Sequence, residues 1–294
     1  MKAVCKRIPI LVPFLFAFHA PIAAAWTTHI NCQGAIGTHV LQGGSDEFTS
    51  AFTNTVYSNA VTDAGQDSCQ MGITAGSTGW GIWGGTYNFP TQLGVGSQLW
   101  IRLSVFVPVG FNYTAKPWLK FMRVHTTSPA NSNMGYLDLY INQPTGQVWD
   151  YATKTEVTDP FTFYYEGKPM PHAFGVRALN GFIPGKWESY EIHYKFDTVS
   201  KASGGTGEIQ IWQNNQLLAD LTDQVTLANA STYANAFFLF TYWNGGSPAT
   251  QSLYVNNITI TDDTPTNHDA NGNPCICAPA AGTQPNPPGL VSAH

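Results

Sequence analysis

Charge is scarce in this chain. Asp, Glu, Lys and Arg make up only 11% of its 294 residues. Positive charge is scarcer still, at 13 Lys+Arg against 18 acids. Binding to nucleic-acid phosphates needs clustered cations, so this balance argues against such a partner. A local groove can still oppose the global sign, so an anionic polysaccharide remains compatible. Past the N-terminus no apolar run approaches 18 residues, which excludes a later membrane-spanning helix. No helical period of useful length occurs. No P-loop, Rossmann fingerprint, HExxH or Gly-x-Ser-x-Gly is found, and His29 and His39 lack metal-ligand spacing with a third group.

The N-terminus departs from this pattern. Lys2, Lys6 and Arg7 precede an apolar stretch from Ile8 to Phe18, and Ala23-Ala24-Ala25 follows. That order predicts a secretory signal peptide over residues 1–25. Its three cations leave with it, so the mature chain carries a formal charge of −8. The mature protein is expected to be secreted or periplasmic, monomeric and free of membrane.

Cysteine is sparse as well. Cys5 lies in the leader, leaving Cys32, Cys69, Cys275 and Cys277, an even number in an oxidising compartment. A Cys275–Cys277 bridge closes a very small ring. The expectation is therefore that Cys32 and Cys69 each pair with one of the C-terminal two, in either order. The alternative is a Cys32–Cys69 bond with two free thiols. Residues 26–265 read as one β domain and 266–294 as a Pro-rich tail, anchored by Cys275 and Cys277 and otherwise disordered.

What is present is alternation. Short period-two runs recur between Gly, Pro, Asn and Asp clusters, the pattern of an antiparallel β-sandwich or barrel. Leu99, Ile101, Leu103 and Val105 alternate with Trp100, Arg102 and Ser104. Leu137, Leu139 and Ile141 alternate with Tyr136, Asp138 and Tyr140. Tyr190, Ile192 and Tyr194 oppose Glu191, His193 and Lys195; Ile209 and Ile211 oppose Glu208, Gln210 and Trp212. One face is apolar and the other polar with rings set along it. Sugar C–H faces stack on rings while hydroxyls seek planar polar groups, so the pattern suits a glycan groove. The alternative is that these rings face a second sheet as core.

Several stretches resemble a known family. GKWESYEIHYKF (185–196) and GEIQIWQNNQLL (207–218) are similar to paired strands of heparin-lyase-like polysaccharide lyases with a concanavalin A-like jelly roll. LGVGSQLWIRLSVFVPVGF (93–111), WLKFMRVHT (118–126) and GYLDLYIN (135–142) resemble strands of the same fold. NAFFLFTYWNGG (235–246) and LYVNNITITDD (253–263) look like its last two strands. The likeness covers roughly residues 45–263. Phe240, Tyr242, Trp243 and Asn244 stand where such lyases often carry Lys-x-Gly-x-Tyr.

The resemblance implies an all-β jelly roll that cleaves a uronate-containing polysaccharide by β-elimination, with no cofactor required. That reaction needs a group to neutralise the uronate carboxylate, a base for the C5 proton and an acid for the departing oxygen. WLKFMRVH supplies candidates. Regular alternation places Phe121, Arg123 and His125 on one face, with Lys120 and Met122 on the other. A bulge would put Lys120 into the groove in place of Arg123. Arg123 suits carboxylate neutralisation by its fork, unless it merely pairs with Asp138, and Arg102 on another strand could take the same role. His125 and His193 are the bases; Tyr136, Tyr140 and Tyr242 are the acids. Lys120, Trp100, Tyr136, Asp138, Glu191, Lys195, Gln210, Trp212 and Trp243 complete the expected binding surface.

Two rival readings use the same surface: a non-catalytic carbohydrate-binding protein, and a glycoside hydrolase pairing Asp138 with Glu191 or Glu208. Asp46, Glu47, Asp262 and Asp263 are weak candidates for a structural Ca²⁺ between meeting termini. Asn112-Tyr-Thr, Asn229-Ala-Ser and Asn257-Ile-Thr fit the N-glycosylation rule.

Overall fold

A computed structural model describes residues 24–40, 47–112, 118–141, 148–150, 155–157, 161–167, 173–175 and 183–277. Most of the expected leader, Asp46, and tail residues 278–294 lie outside the described residues.

Strands numbered in chain order form two sheets. The first runs β15 (Gln216–Leu221), β14 (Glu208–Gln213), β13 (Trp187–Lys195), β6 (Gln98–Phe106), β17 (Gln251–Thr261), β4 (Gln66–Ile73) and β3 (Thr55–Asp63), with β1 (Thr27–Ile30) also paired to β17. The second runs β10 (Thr155–Val157), β9 (Val148–Asp150), β12 (Ala173–Gly175), β11 (Phe161–Gly167), β8 (Asn133–Ile141), β7 (Leu119–Thr127), β16 (Tyr233–Trp243), β5 (Gly85–Leu93) and β2 (Ser50–Ala51). Pairing is antiparallel save for one β9–β12 bridge. The protein is an all-β jelly roll. Its consecutive last strands, β16 and β17, belong to different sheets.

The aliphatic faces read from the sequence meet between the sheets. Leu99, Ile101, Leu103, Tyr190, Ile192 and Ile209 from one pack with Val124, Leu137, Leu139 and Phe237 from the other. Phe121 crosses the interface, its ring edge-on to Tyr190 at 5.2 Å.

Phe121 departs from the alternation expected of its strand. The β7–β8 register shifts between Lys120 and Met122, so Phe121 is the extra residue of a bulge. It turns into the core, and Lys120 and Arg123 come to share the opposite face. The adjoining strand is bulged at the same level, between Leu239 and Tyr242. There Phe240 takes φ 49°, a conformation disfavoured for a bulky residue. The two bulged rings pack together at 4.8 Å.

Gly84 makes room for this. A Cβ there would fall 2.3 Å from the Leu239 carbonyl oxygen and 2.5 Å from that of Phe240, at a backbone φ of +85°. We expect Gly84→Ala to cost about 2–4 kcal/mol in urea unfolding. A loss below about 1 kcal/mol would show that the bulge does not need the space that Gly84 leaves.

The disulfides differ from expectation. Cys32 pairs with Cys69, and Cys275 with Cys277. Cys69 lies on β4, whereas Cys275 and Cys277 cover Trp212 on β14. Strands β17, β6 and β13 intervene, so the two pairs stand roughly 19 Å apart at sheet spacing, out of disulfide reach.

Candidate active site

The outer face of the second sheet carries the densest chemistry. Across the bulge Lys120 pairs in register with Tyr140, Arg123 with Asp138 and His125 with Tyr136. On the other side Tyr242 lies opposite Lys120 and Phe238 opposite Arg123. Three neighbouring strands thus present one face.

Its lower layer is buried and charged. Asp138, with no exposed surface, accepts from Arg123 Nε at 2.8 Å and from Lys120 Nζ at 3.1 Å. Lys120 also donates to the Tyr140 hydroxyl at 2.8 Å, and that hydroxyl donates to Asp138 Oδ2 at 3.0 Å. The Arg123–Asp138 ion pair, which the sequence left as the alternative to a free Arg123, is therefore present, extended by a second cation. Arg123 Nη1 reaches Thr241 Oγ1 at 3.5 Å, while Nη2 meets no hydrogen-bond acceptor among the described residues.

The upper layer is half-exposed and aromatic. Tyr136 lies over the Arg123 guanidinium, 3.9 Å from Cζ to ring centroid. The His125 ring is 5.0 Å from that of Tyr136 and stacked on Phe238 at 5.8 Å. Trp80 continues this track, 5.5 Å from Phe238 and 5.5 Å from Phe52, and it is 54% exposed. His125 Nδ1 meets Asn235 Oδ1 at 2.7 Å, which sets Nδ1 as the donor and leaves Nε2 with its lone pair. Burial holds the His125 pKa below 6.5, against hydrogen bonds to Asn235 and Asn133, and the Arg123 charge adds to the depression. The ring is thus mostly neutral at pH 7.

Trp80, Phe52, Phe238 and Asn235 were not among the sequence candidates. Trp80 belongs to the Gly-rich GWGIWGG, where a lone ring has no strand period to mark it. Phe238 lies within FFLF, where nothing separates core rings from surface ones.

The remaining candidates are elsewhere. Trp100, Arg102, Glu191, His193, Lys195, Gln210 and Trp212 occupy the outer face of the first sheet, so the single groove expected from four strands is divided between opposite sides of the sandwich. Arg102 pairs with Glu191 at 3.1 Å and donates to Asn215 at 2.7 Å. Glu191 also accepts from the Ile276 amide at 2.6 Å. Burial pushes its carboxyl up, against the Ile276 and Arg102 contacts. Trp212 is covered by the Cys275–Cys277 segment and donates to Asp269 at 2.8 Å. Trp243 is fully buried core, stacked near Phe111. Asp138 does not face Glu191 or Glu208, which removes the hydrolase pairs.

The cation candidates are also apart. Glu47 accepts from the Tyr57 hydroxyl, and Asp262 from the Trp26 amide. Among the described residues no three potential metal ligands gather.

The fold resembles that of solved alginate and glucuronan lyases. Among solved structures it is similar to alginate lyase Aly36B, with TM-score 0.52 and 14% identity over 80% of this chain and 96% of that one. Alginate lyase vAL-1 from Chlorella virus gives TM-score 0.51 and 14% identity over 78% and 100%. An endo-β-1,4-glucuronan lyase from the fungus Trichoderma reesei gives 0.50 and 11% over 78% and 96%. Variants of Aly36B were solved with an alginate trisaccharide and an alginate tetrasaccharide. No family model matches the chain, and no curated protein matches it.

His193 offers a separate check on the placement of the first sheet's outer face. Burial lowers its pKa to about 4, against a Gln210 hydrogen bond and with the Lys195 and Lys201 charges adding. The unfolded imidazole titrates near 6.5, so as pH falls from 6.5 towards 4 the unfolded chain takes a proton that the folded one refuses. We expect this to remove roughly 2–3 kcal/mol of stability between pH 7 and 4.5. Chemical denaturation of His193→Gln should lose that much less over the same range. Equal pH dependence in both proteins would place His193 in a wetter setting.

Proposed function

We propose that the outer face of the second sheet is the active site of a secreted polysaccharide lyase that cleaves a uronate-containing glycan by β-elimination. The observation that carries this reading is the bulge-aligned set of Arg123, His125 and Tyr136, one on top of another on adjoining strands. The fold shared with alginate and glucuronan lyases supports it. So does the aromatic track from Phe52 to Phe238, which suits a chain of pyranose rings. The Cys32–Cys69 bond and the leader-like N-terminus favour an oxidising, extracytoplasmic setting.

The chemistry follows from the arrangement. A uronate carboxylate accepts from Arg123 Nη2, which spreads the negative charge that develops as the C5 proton leaves. Neutral His125 takes that proton at Nε2. The departing oxygen is attached to C4, next to C5, so acid and base must stand within a few ångströms of one another. Tyr136, adjacent to His125 and half-exposed, meets that condition. Tyr140 is almost fully buried and Tyr242 lies at the Lys120 end of the strand pair. We assign Tyr136 as the proton donor and the Tyr140–Asp138–Lys120 network as the support that orients Arg123. Among uronate polymers, alginate and glucuronan are the first to test, ahead of heparin.

The test is the ultraviolet absorbance of the unsaturated product on alginate, glucuronan, pectate and heparin. Rising absorbance on one of them is expected. New reducing ends without it would mean hydrolysis, and retention of glycan with neither would mean a binding protein. His125→Gln and Tyr136→Phe should each lower kcat by about 10²–10⁴ with folding intact. Trp80→Ala should raise KM more than it lowers kcat.

Because His125 works deprotonated and its pKa is depressed, activity should fall on acidification with a midpoint below pH 6.5. A midpoint above 6.5 in kcat/KM would exclude His125 as the base.

A further inference from the structure

A cavity of about 410 Å³ opens on the outer face of the first sheet, on the side of the sandwich away from Arg123 and His125. Its volume lies within the range of small-ligand clefts. The Trp100 indole and His193 imidazole form part of its wall as a stacked pair, 4.1 Å between centroids and 12° between planes. Gln98, Gln210 and Lys195 line it from the strands, and Asn273 from the C-terminal segment.

Two independent features ask for a ligand. The first is unmet hydrogen bonding. Trp100 Nε1 and His193 Nε2 have no partner, although the two residues are only 2% and 7% exposed. Unpaired buried polar atoms are rare and costly, so their presence on two stacked rings needs an explanation. Gln210 Oε1 stands 3.1 Å from His193 Nδ1, which makes Nδ1 the donor and Nε2 an acceptor. The indole nitrogen only donates. An unmet donor on one ring and an unmet acceptor on the other match a hydroxyl, which does both.

The second feature is charge. Lys201 is paired with Glu208 at 2.5 Å. Lys195 lines the same cavity and forms no ion pair among the described residues. An ammonium beside planar amides and stacked rings fits a sugar that carries one carboxylate.

We propose that this cavity is a second saccharide site that takes one uronate unit of an acidic glycan, with the carboxylate towards Lys195 and ring hydroxyls towards Trp100 and His193. It would hold the polymer on the side of the sandwich away from the chemistry. It uses no residue assigned to β-elimination and needs no turnover.

The probe is methyl β-D-glucuronide, whose C4 carries a free hydroxyl and no glycosidic bond to cleave, so chain cleavage cannot contribute to the signal. Imidazole nitrogen resonances of the full chain are followed by NMR during titration, with methyl β-D-glucoside as the neutral control. The expected result is a saturable shift of the His193 Nε2 resonance with the glucuronide. The glucoside should bind at least fivefold more weakly. Lys195→Ala should weaken the glucuronide at least fivefold while leaving the melting temperature and any turnover unchanged. Overturning results are a His193 resonance that never moves, a shift confined to His125, or equal response to glucoside and glucuronide with Lys195→Ala silent. A failed elimination assay would leave this outcome untouched, and a silent His193 would leave the lyase reading untouched.

Discussion

Asp138 binds two buried cations at once, and the site on the second sheet depends on that single carboxylate. Lys120 and Arg123 are three residues apart on a strand, a spacing that regular alternation sends to opposite faces. The Phe121 bulge cancels one step of the alternation and brings both onto Asp138. Removing one partner of a buried ion pair commonly costs 3–5 kcal/mol, because the other charge is left without compensation. Here Asp138 has two such partners. The network therefore fixes the level at which Arg123 stands, and with it the ring of Tyr136 laid over the guanidinium. His125, two residues further along, inherits its position from the same register.

The two outer faces of the sandwich have different characters. That of the second sheet is a buried ionic layer under half-exposed rings, with Trp80 reaching solvent. That of the first sheet is partly closed by the chain's own C-terminal segment. Asp269 gathers the backbone amides of Asn271 and Asn273 and the Trp212 indole, while the Ile276 amide meets Glu191. Where this cover ends, the Trp100–His193 pair lines an open cavity. On the proposed reading, the sandwich separates the face that transfers protons from one that only holds the glycan.

Much of the fold is legible in the sequence, because period-two alternation states which side chains go inward. Leu99, Ile101, Leu103, Tyr190, Ile192 and Ile209 are all in the core, as their spacing requires. What alternation cannot state is which sheet a strand joins. The polar faces of β6, β13 and β14 look like that of β8, yet they lie on the far side of the molecule. Bulges are equally hidden: nothing in LKFMRVH marks Phe121 as the extra residue, since a Phe serves either face. The cysteine pairing depended on strand order, which brings Cys32 over β4 and the C-terminal pair over β14. Trp243 reads like a groove residue by composition and is core by position. The members of the candidate site, Arg123, His125, Tyr136 and Asp138, were therefore visible as residue types, while their separation from Arg102 and His193 needed the third dimension.

On the proposed reading the outer face of the second sheet, and no other, receives the scissile part of an acidic glycan. A crystal structure of the His125→Gln variant soaked with a glucuronan or alginate tetrasaccharide tests it directly. The expected result is sugar rings along Trp80, Phe238 and Tyr136, with one carboxylate within hydrogen-bonding distance of Arg123 and that unit's C5 facing residue 125. A bare second sheet, with the oligosaccharide bound solely beside Trp100 and Lys195, would contradict it.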